Sequence, residues 1–100
     1  MSTFEFDQLI HQPVRTKILM YLLSQGESDF STIKKSLELS DGHMSNHMKQ
    51  LVACGYVEMK KEFVFNKPRT NYKVSLVGKN KFEEYISELK KMIQINELGL

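Results

Sequence analysis

Six hydrogen-bonding side chains stand between His43 and Gln50: His43, Ser45, Asn46, His47, Lys49 and Gln50. They are interleaved with Met44, Met48 and Leu51, whose i, i+4, i+7 spacing marks one stripe of a helix. A helix over Asp41–Cys54 buries that stripe and turns the polar side chains outward. Asn and Gln pair bidentately with adenine, and Ser and Lys contact bases or phosphates. The chemistry open to this face is therefore the reading of base edges in a major groove. The ordinary alternative is a solvated helix face, and for each residue taken singly both readings stay open. His47 lies close to the methionine stripe, so a phosphate contact and a purely structural role are equally open to it.

Other chemistries find less support. His43 and His47 stand at i, i+4, the spacing of two metal ligands on one helix face, but with His11 and Cys54 they form no usual zinc pattern. No metal and no cofactor are expected. The sequence has no glycine-rich phosphate loop, no nucleophile elbow and no helically spaced acid pair, so no enzyme chemistry is expected. Cys54, the single cysteine, makes no intrachain disulfide and reads as a small buried residue in a reduced setting. No apolar run approaches the ~20 residues that span a bilayer. The N-terminus shows no basic region followed by an apolar core, and the expected localisation is cytoplasmic.

The net charge is only +2, but it is unevenly placed. Lys34 to Lys73 carries +4 and the remainder −2, a distribution that suggests a basic patch for phosphates, although a solvated surface would look the same. At 100 residues with 41% hydrophobic content, the chain is expected to be one domain with a small core that dimerisation would help to stabilise.

The elements that must hold the polar face follow in order. Phe4, Phe6, Leu9 and Ile10 need a cover near the N-terminus. Gln12–Ser24 is a predicted helix, with Pro13 in its first turn, an apolar stripe of Val14, Ile18, Leu19, Leu22 and Leu23, and Gly26 as its stop. Glu27–Phe30 reads as a one-bridge strand. Ser31–Leu39 reads as a helix capped by Ser31 and held by Ile33 and Leu37, with Lys34 and Lys35 to the side as phosphate contacts or solvated lysines. Leu39–Gly42 reads as the tight turn into the polar helix, the helix-turn-helix pattern, and Gly55 as a left-handed stop. From Tyr56 to Leu76 the period changes from 3.6 to 2. The predicted hairpin turns at Asn66–Thr70, whose tip carries Lys67 and Arg69 toward phosphates or a minor groove, with Thr70 as a further contact and a polar hairpin tip as the alternative. A final helix, capped by Ser75, runs to about Asn96 with a stripe of Phe82, Tyr85, Ile86, Leu89, Met92 and Ile93. That stripe exceeds what a small domain can bury, so its second half is expected to meet another subunit.

The order α-α-α-β-β-α resembles the winged-helix transcriptional regulators related to the arsenic-repressor and multiple-antibiotic-resistance-repressor families. The chain is most similar to the small single-domain winged helix DNA-binding regulators. The resemblance rests on His11-Gln-Pro-Val-Arg-Thr-Lys-Ile-Leu, Asp29-Phe30, Leu39-Ser-Asp-Gly-His-Met-Ser-Asn-His-Met-Lys-Gln-Leu, Gly55-Tyr-Val-Glu and Pro68-Arg-Thr-Asn-Tyr, and covers about residues 9–90. It implies an α+β, mainly α, fold: a winged helix-turn-helix of three helices, a two-stranded β wing and a long C-terminal helix. It also implies a homodimer on double-stranded DNA, one recognition helix per major groove and one wing per flanking minor groove, repressing more often than activating. Arg15 matches a family arginine that serves either DNA or structure. The cysteine-rich signature of the metal-sensing relatives and an appended ligand domain are both missing, so the resemblance leaves the inducing signal open.

The expected function is a sequence-specific DNA-binding transcriptional regulator, a repressor first. The expected DNA contacts are His43, Ser45, Asn46, His47, Lys49, Gln50, Lys34, Lys35, Lys67, Arg69 and Thr70. Residues 1–12 and 77–96 of a single domain are expected to form the dimer interface through Phe4, Phe6, Leu9, Ile10, Tyr85, Leu89, Met92 and Ile93. The alternative is a winged-helix protein-interaction module that does not bind DNA.

Overall fold

A computed structural model describes residues 5–99, with side chains from 5 to 94; Phe4 lies outside the described residues. The elements are α1 (Pro13–Gln25), β1 (Ser28–Asp29), α2 (Phe30–Ser36), α3 (Asp41–Ala53), β2 (Val57–Val64), β3 (Lys67–Val74) and α4 (Leu76–Gly99). The wing is the β2–β3 hairpin, and β1 adds a third antiparallel strand in the order β1-β3-β2. Ser28 pairs with Tyr72 and Asp29 with Asn71. The predicted one-bridge strand thus pairs at two positions and ties the hairpin to the helices.

The stripes predicted from spacing meet in one core, except that Leu23 of α1 is 39% exposed. Ile18, Leu19 and Leu22 of α1, Ile33 of α2 and Met44, Met48 and Leu51 of α3 pack with Tyr56, Val57, Tyr72, Phe82 and Tyr85. Ile10 joins them with no exposed surface. Removing such residues from water is the main force holding the helices to the sheet.

Four local readings are corrected. The cap of α2 is Asp29, whose carboxylate accepts from the Thr32 amide at 2.7 Å; Ser31 already lies inside the helix. The turn into α3 contains no glycine: Glu38 takes the left-handed conformation at φ 54°, while Gly42 is within α3, and Ser40 caps that helix by accepting from His43 N at 3.2 Å. The hairpin turns at Phe65-Asn66, both at positive φ, so Lys67–Thr70 belongs to β3. Pro68 is tolerated there because β1 reaches only Asn71 and Tyr72, leaving β3 an edge beside Pro68. Leu76 begins α4 and does not end β3, and it is 74% exposed.

Ser75 caps α4 as expected, accepting from Gly78 N at 3.0 Å while donating to the Gly55 carbonyl. Gly55 adopts φ 85° after α3, as its place required. Phe82 and Tyr85 of α4 are buried, Ile86 and Leu89 are half-buried, and Met92 and Ile93 are 40% and 56% exposed. Ile86 and Leu89 still pack against the core, and the apolar stripe leaves it after Leu89. The radius of gyration of 15.6 Å, against about 13 Å for a compact chain of this length, reflects that projection.

Candidate nucleic-acid interface

The buried side of α3 is set by Met44, Met48 and Leu51, and the opposite side is open: His43, Ser45, Asn46, Lys49 and Gln50 are all exposed. The Ser40 cap holds the helix start, and Asp41 in the first turn suits the helix dipole. Asp41 also takes the Lys34 ammonium at 2.6 Å. Lys34 is therefore committed to joining α2 to α3, whereas Lys35 is exposed and makes no ion pair among the described residues.

His47 is half-buried and acts inside the fold. Its Nδ1 lies 3.0 Å from Arg15 Nη1. A guanidinium only donates, so Nδ1 accepts and the proton of the neutral ring sits on Nε2. Burial, then the charges of Arg15 and His43, hold the His47 pKa below its ordinary value. Arg15 also donates through Nε to the Leu9 carbonyl and through Nη2 to the Gln8 carbonyl. The matched arginine thus joins the N-terminal segment, α1 and the recognition helix. The pairing links positions 32 residues apart, and no local spacing announces it.

On the wing, Lys67 is exposed, Thr70 is half-buried, and Arg69 Nε stands 3.7 Å from Asp29 Oδ2. Hydrogen bonds from Thr32 and, more weakly, the Arg69 charge hold the Asp29 carboxyl below the usual range. The Asp29 carboxylate therefore caps α2 with one oxygen and anchors the wing with the other. Lys60 and Lys73 are drawn to Glu62 and Glu58, each at 3.6 Å. Lys61 is exposed without an ion pair among the described residues. Lys49 on α3 and Lys61 and Lys67 on the wing are thus exposed cations without an ion pair among the described residues.

The chain matches the model of a winged helix DNA-binding domain over residues 14–93. It belongs to the winged helix DNA-binding domain family. A protein of Methanocaldococcus jannaschii, itself uncharacterised, is 34% identical over 82 residues, which are 82% of this chain and 89% of that protein. A transcriptional regulator homologue from Pyrococcus horikoshii superimposes with a TM-score of 0.82 at 30% identity, covering 94% of this chain and 91% of its own. AbfR, solved in its overoxidised form bound to DNA, has a TM-score of 0.68 at 16% identity, with 92% of this chain and 71% of AbfR covered. An ArsR family transcriptional regulator shares the fold, with a TM-score of 0.58 at 16% identity over 87% of this chain and 84% of its own. In the winged-helix order, α3 is the second helix of the helix-turn-helix and β2–β3 the wing.

The residues expected at a subunit interface divide in two. Phe6 stacks on His11 at 4.8 Å and meets Tyr85 edge-on at 5.9 Å. His11 Nδ1 and the Tyr85 hydroxyl are 2.9 Å apart, and Tyr56 donates to Asp7. The N-terminal segment thus folds onto its own core. Ile10 and Tyr85 are enclosed by their own chain, Leu9 and Leu89 are half-buried, and Met92 and Ile93 face solvent. Among the described residues, no three His, Cys, Asp or Glu side chains converge on a point that could hold a metal, and no helix is long and apolar enough to cross a membrane. Cys54 is half-buried and donates to the Leu51 carbonyl.

Proposed function

We propose that this chain is a sequence-specific transcriptional regulator that works as a homodimer, acting as a repressor by occupying its operator. One observation carries the reading: a capped helix buries its methionine stripe and leaves His43, Ser45, Asn46, Lys49 and Gln50 outward, beside a wing bearing Lys61 and Lys67. Asn46 and Gln50 read bases, and Lys49, Lys35 and Lys67 meet phosphates. The DNA-bound state of AbfR, which shares the fold, supports duplex DNA as the partner.

The dimer is proposed on α4. The half-buried Ile86 and Leu89 pack against the core, Met92 and Ile93 continue their stripe beyond it, and a second copy of the same strip would cover them. A two-fold pair then places two recognition helices on half-sites about 34–36 Å apart, one turn of duplex.

Sedimentation of the protein with random-sequence duplex DNA, at low and then moderate salt, tests the reading. The expected result is a dimer that binds at low salt and releases as salt rises, because phosphate contacts release counterions. A dimer indifferent to duplex DNA at both salts would overturn DNA binding in favour of a protein-interaction module. Selection from a random duplex pool would then recover the operator.

A further inference from the structure

The wing carries an apolar strip for which the core has no use. Met59 is 46% exposed, Phe63 78% and Phe65 95%. At the base of the hairpin this sheet face is buried at Val57, opposite Val74, and at Tyr72, opposite Met59; the exposed Met59 shares a groove with Ser45, Met48 and Lys49 of α3. Farther out the same face continues as Lys61 opposite Thr70 and Phe63 opposite Pro68, then ends at the Phe65-Asn66 turn. The strip is therefore continuous with the border of the recognition helix.

The turn adds an independent observation. Phe65 and Asn66 have φ of 52° and 61°, the mirror-image two-residue hairpin turn. Asn suits that conformation. A bulky aromatic does not, and Gly, Asn or Asp would avoid the steric cost. A residue kept in a disfavoured conformation with its ring in water points to a use outside the fold. The wing beneath it is held firm by β1 and by the Asp29–Arg69 pair.

We propose that Phe65, backed by Phe63, is an apolar wedge that enters the minor groove and partly unstacks a base step, bending the operator. Lys61 stands within the strip, between Met59 and Phe63, and Lys67 follows the turn on the opposite sheet face, so the end of the wing is cationic as well as apolar, which fits stacked bases beneath phosphates. Wedges of this kind favour pyrimidine–purine steps, which unstack most easily. The wing thereby contributes sequence preference through deformability, without hydrogen bonds to bases. The inference rests on the regulator reading.

The test uses the full chain and the selected operator, with 2-aminopurine placed in turn at the steps flanking each half-site. Wild-type protein should raise 2-aminopurine fluorescence at one flanking step. Phe65→Asn should abolish that rise and weaken binding about ten- to a hundredfold, while its melting temperature stays equal or rises because Asn accepts the turn. Unchanged affinity and fluorescence with Phe65→Asn would overturn the wedge and leave the regulator reading standing. Absence of salt-sensitive duplex binding by the wild type would remove both. If Phe65→Asn instead altered self-association of the free protein, or its binding to anionic phosphatidylserine vesicles, with DNA binding intact, the strip would be a contact between copies or a lipid contact and the wedge would fall.

Discussion

Asn46 and Lys67 separate base reading from phosphate contact. Asn46 is exposed on α3, and Lys67 is exposed at the start of β3. Asn46→Ala should cost about 1–3 kcal/mol on the selected operator, relax preference at one position, and leave binding to random duplex nearly unchanged. Lys67→Glu should weaken binding to every sequence and flatten the salt dependence. Equal losses from Asn46→Ala on all sequences would deny it a base-reading role. His47 makes a separate prediction in pH. Its native pKa lies below the ordinary 6.5, so the unfolded chain takes up a proton first as the pH falls. The stability contributed by neutral His47 is thus complete above pH 6.5 and is lost as the pH falls through the window between 6.5 and the lower native value. Protonation would also put a second cation against Arg15 at 3.0 Å. Thermal melts across that window should fall more steeply for the wild type than for His47→Gln; parallel slopes would show that His47 does not titrate with folding.

Each element is placed by a contact that its own periodicity does not contain. The start of α4 lies against the backbone of Tyr56, where Ser75 N donates to the Tyr56 carbonyl at 3.0 Å. A Cβ on Gly78 would stand 2.2 Å from that oxygen, so helix and chain can approach this closely only with glycine. Gly78→Ala should destabilise the fold by at least about 2 kcal/mol, seen as a lowered urea midpoint. An unchanged midpoint would mean that α4 can ride away from Tyr56 freely. The wing is positioned by similar means. Polar residues and Pro68 gather at Asn66–Thr70 and predict a turn there, yet the register from Val57↔Val74 to Val64↔Lys67 closes the hairpin at Phe65-Asn66. Cross-strand pairing decides the turn, and it overrides the local preference of Phe for a negative φ.

At the scale of the whole molecule, the largest extent is 58 Å against 25 and 21 Å in the other directions. The second half of α4 presents Met92 and Ile93 away from the core. In the proposed dimer these residues lie between two copies, and both recognition helices act on one duplex. Ile93→Glu should then shift the sedimenting species from dimer to monomer with helix content unchanged. It should weaken operator binding about a hundredfold or more, because the second half-site contact ceases to be intramolecular. A dimer that survives this change would place the interface elsewhere.

The sequence by itself determined the helices, the hairpin and the recognition face. Stripes at 3.6 and 2.0 residues follow from backbone geometry, and a helix with Met44, Met48 and Leu51 inward has no choice but to turn Asn46 and Gln50 outward. Gly55 and Ser75 were legible for the same reason, since each meets a need of the few residues around it. Tertiary structure alone decided which charged groups are available. Lys34 and Arg69 read as free cations until Asp41 and Asp29 lie within 2.6 and 3.7 Å of them, and Arg15 and His47 read as separate candidates until the fold brings them together. It also decided that Ile10 and Tyr85 belong to their own core while Phe63 and Phe65 stay in water. Apolar character says that a side chain is better covered, but only packing in three dimensions says by what.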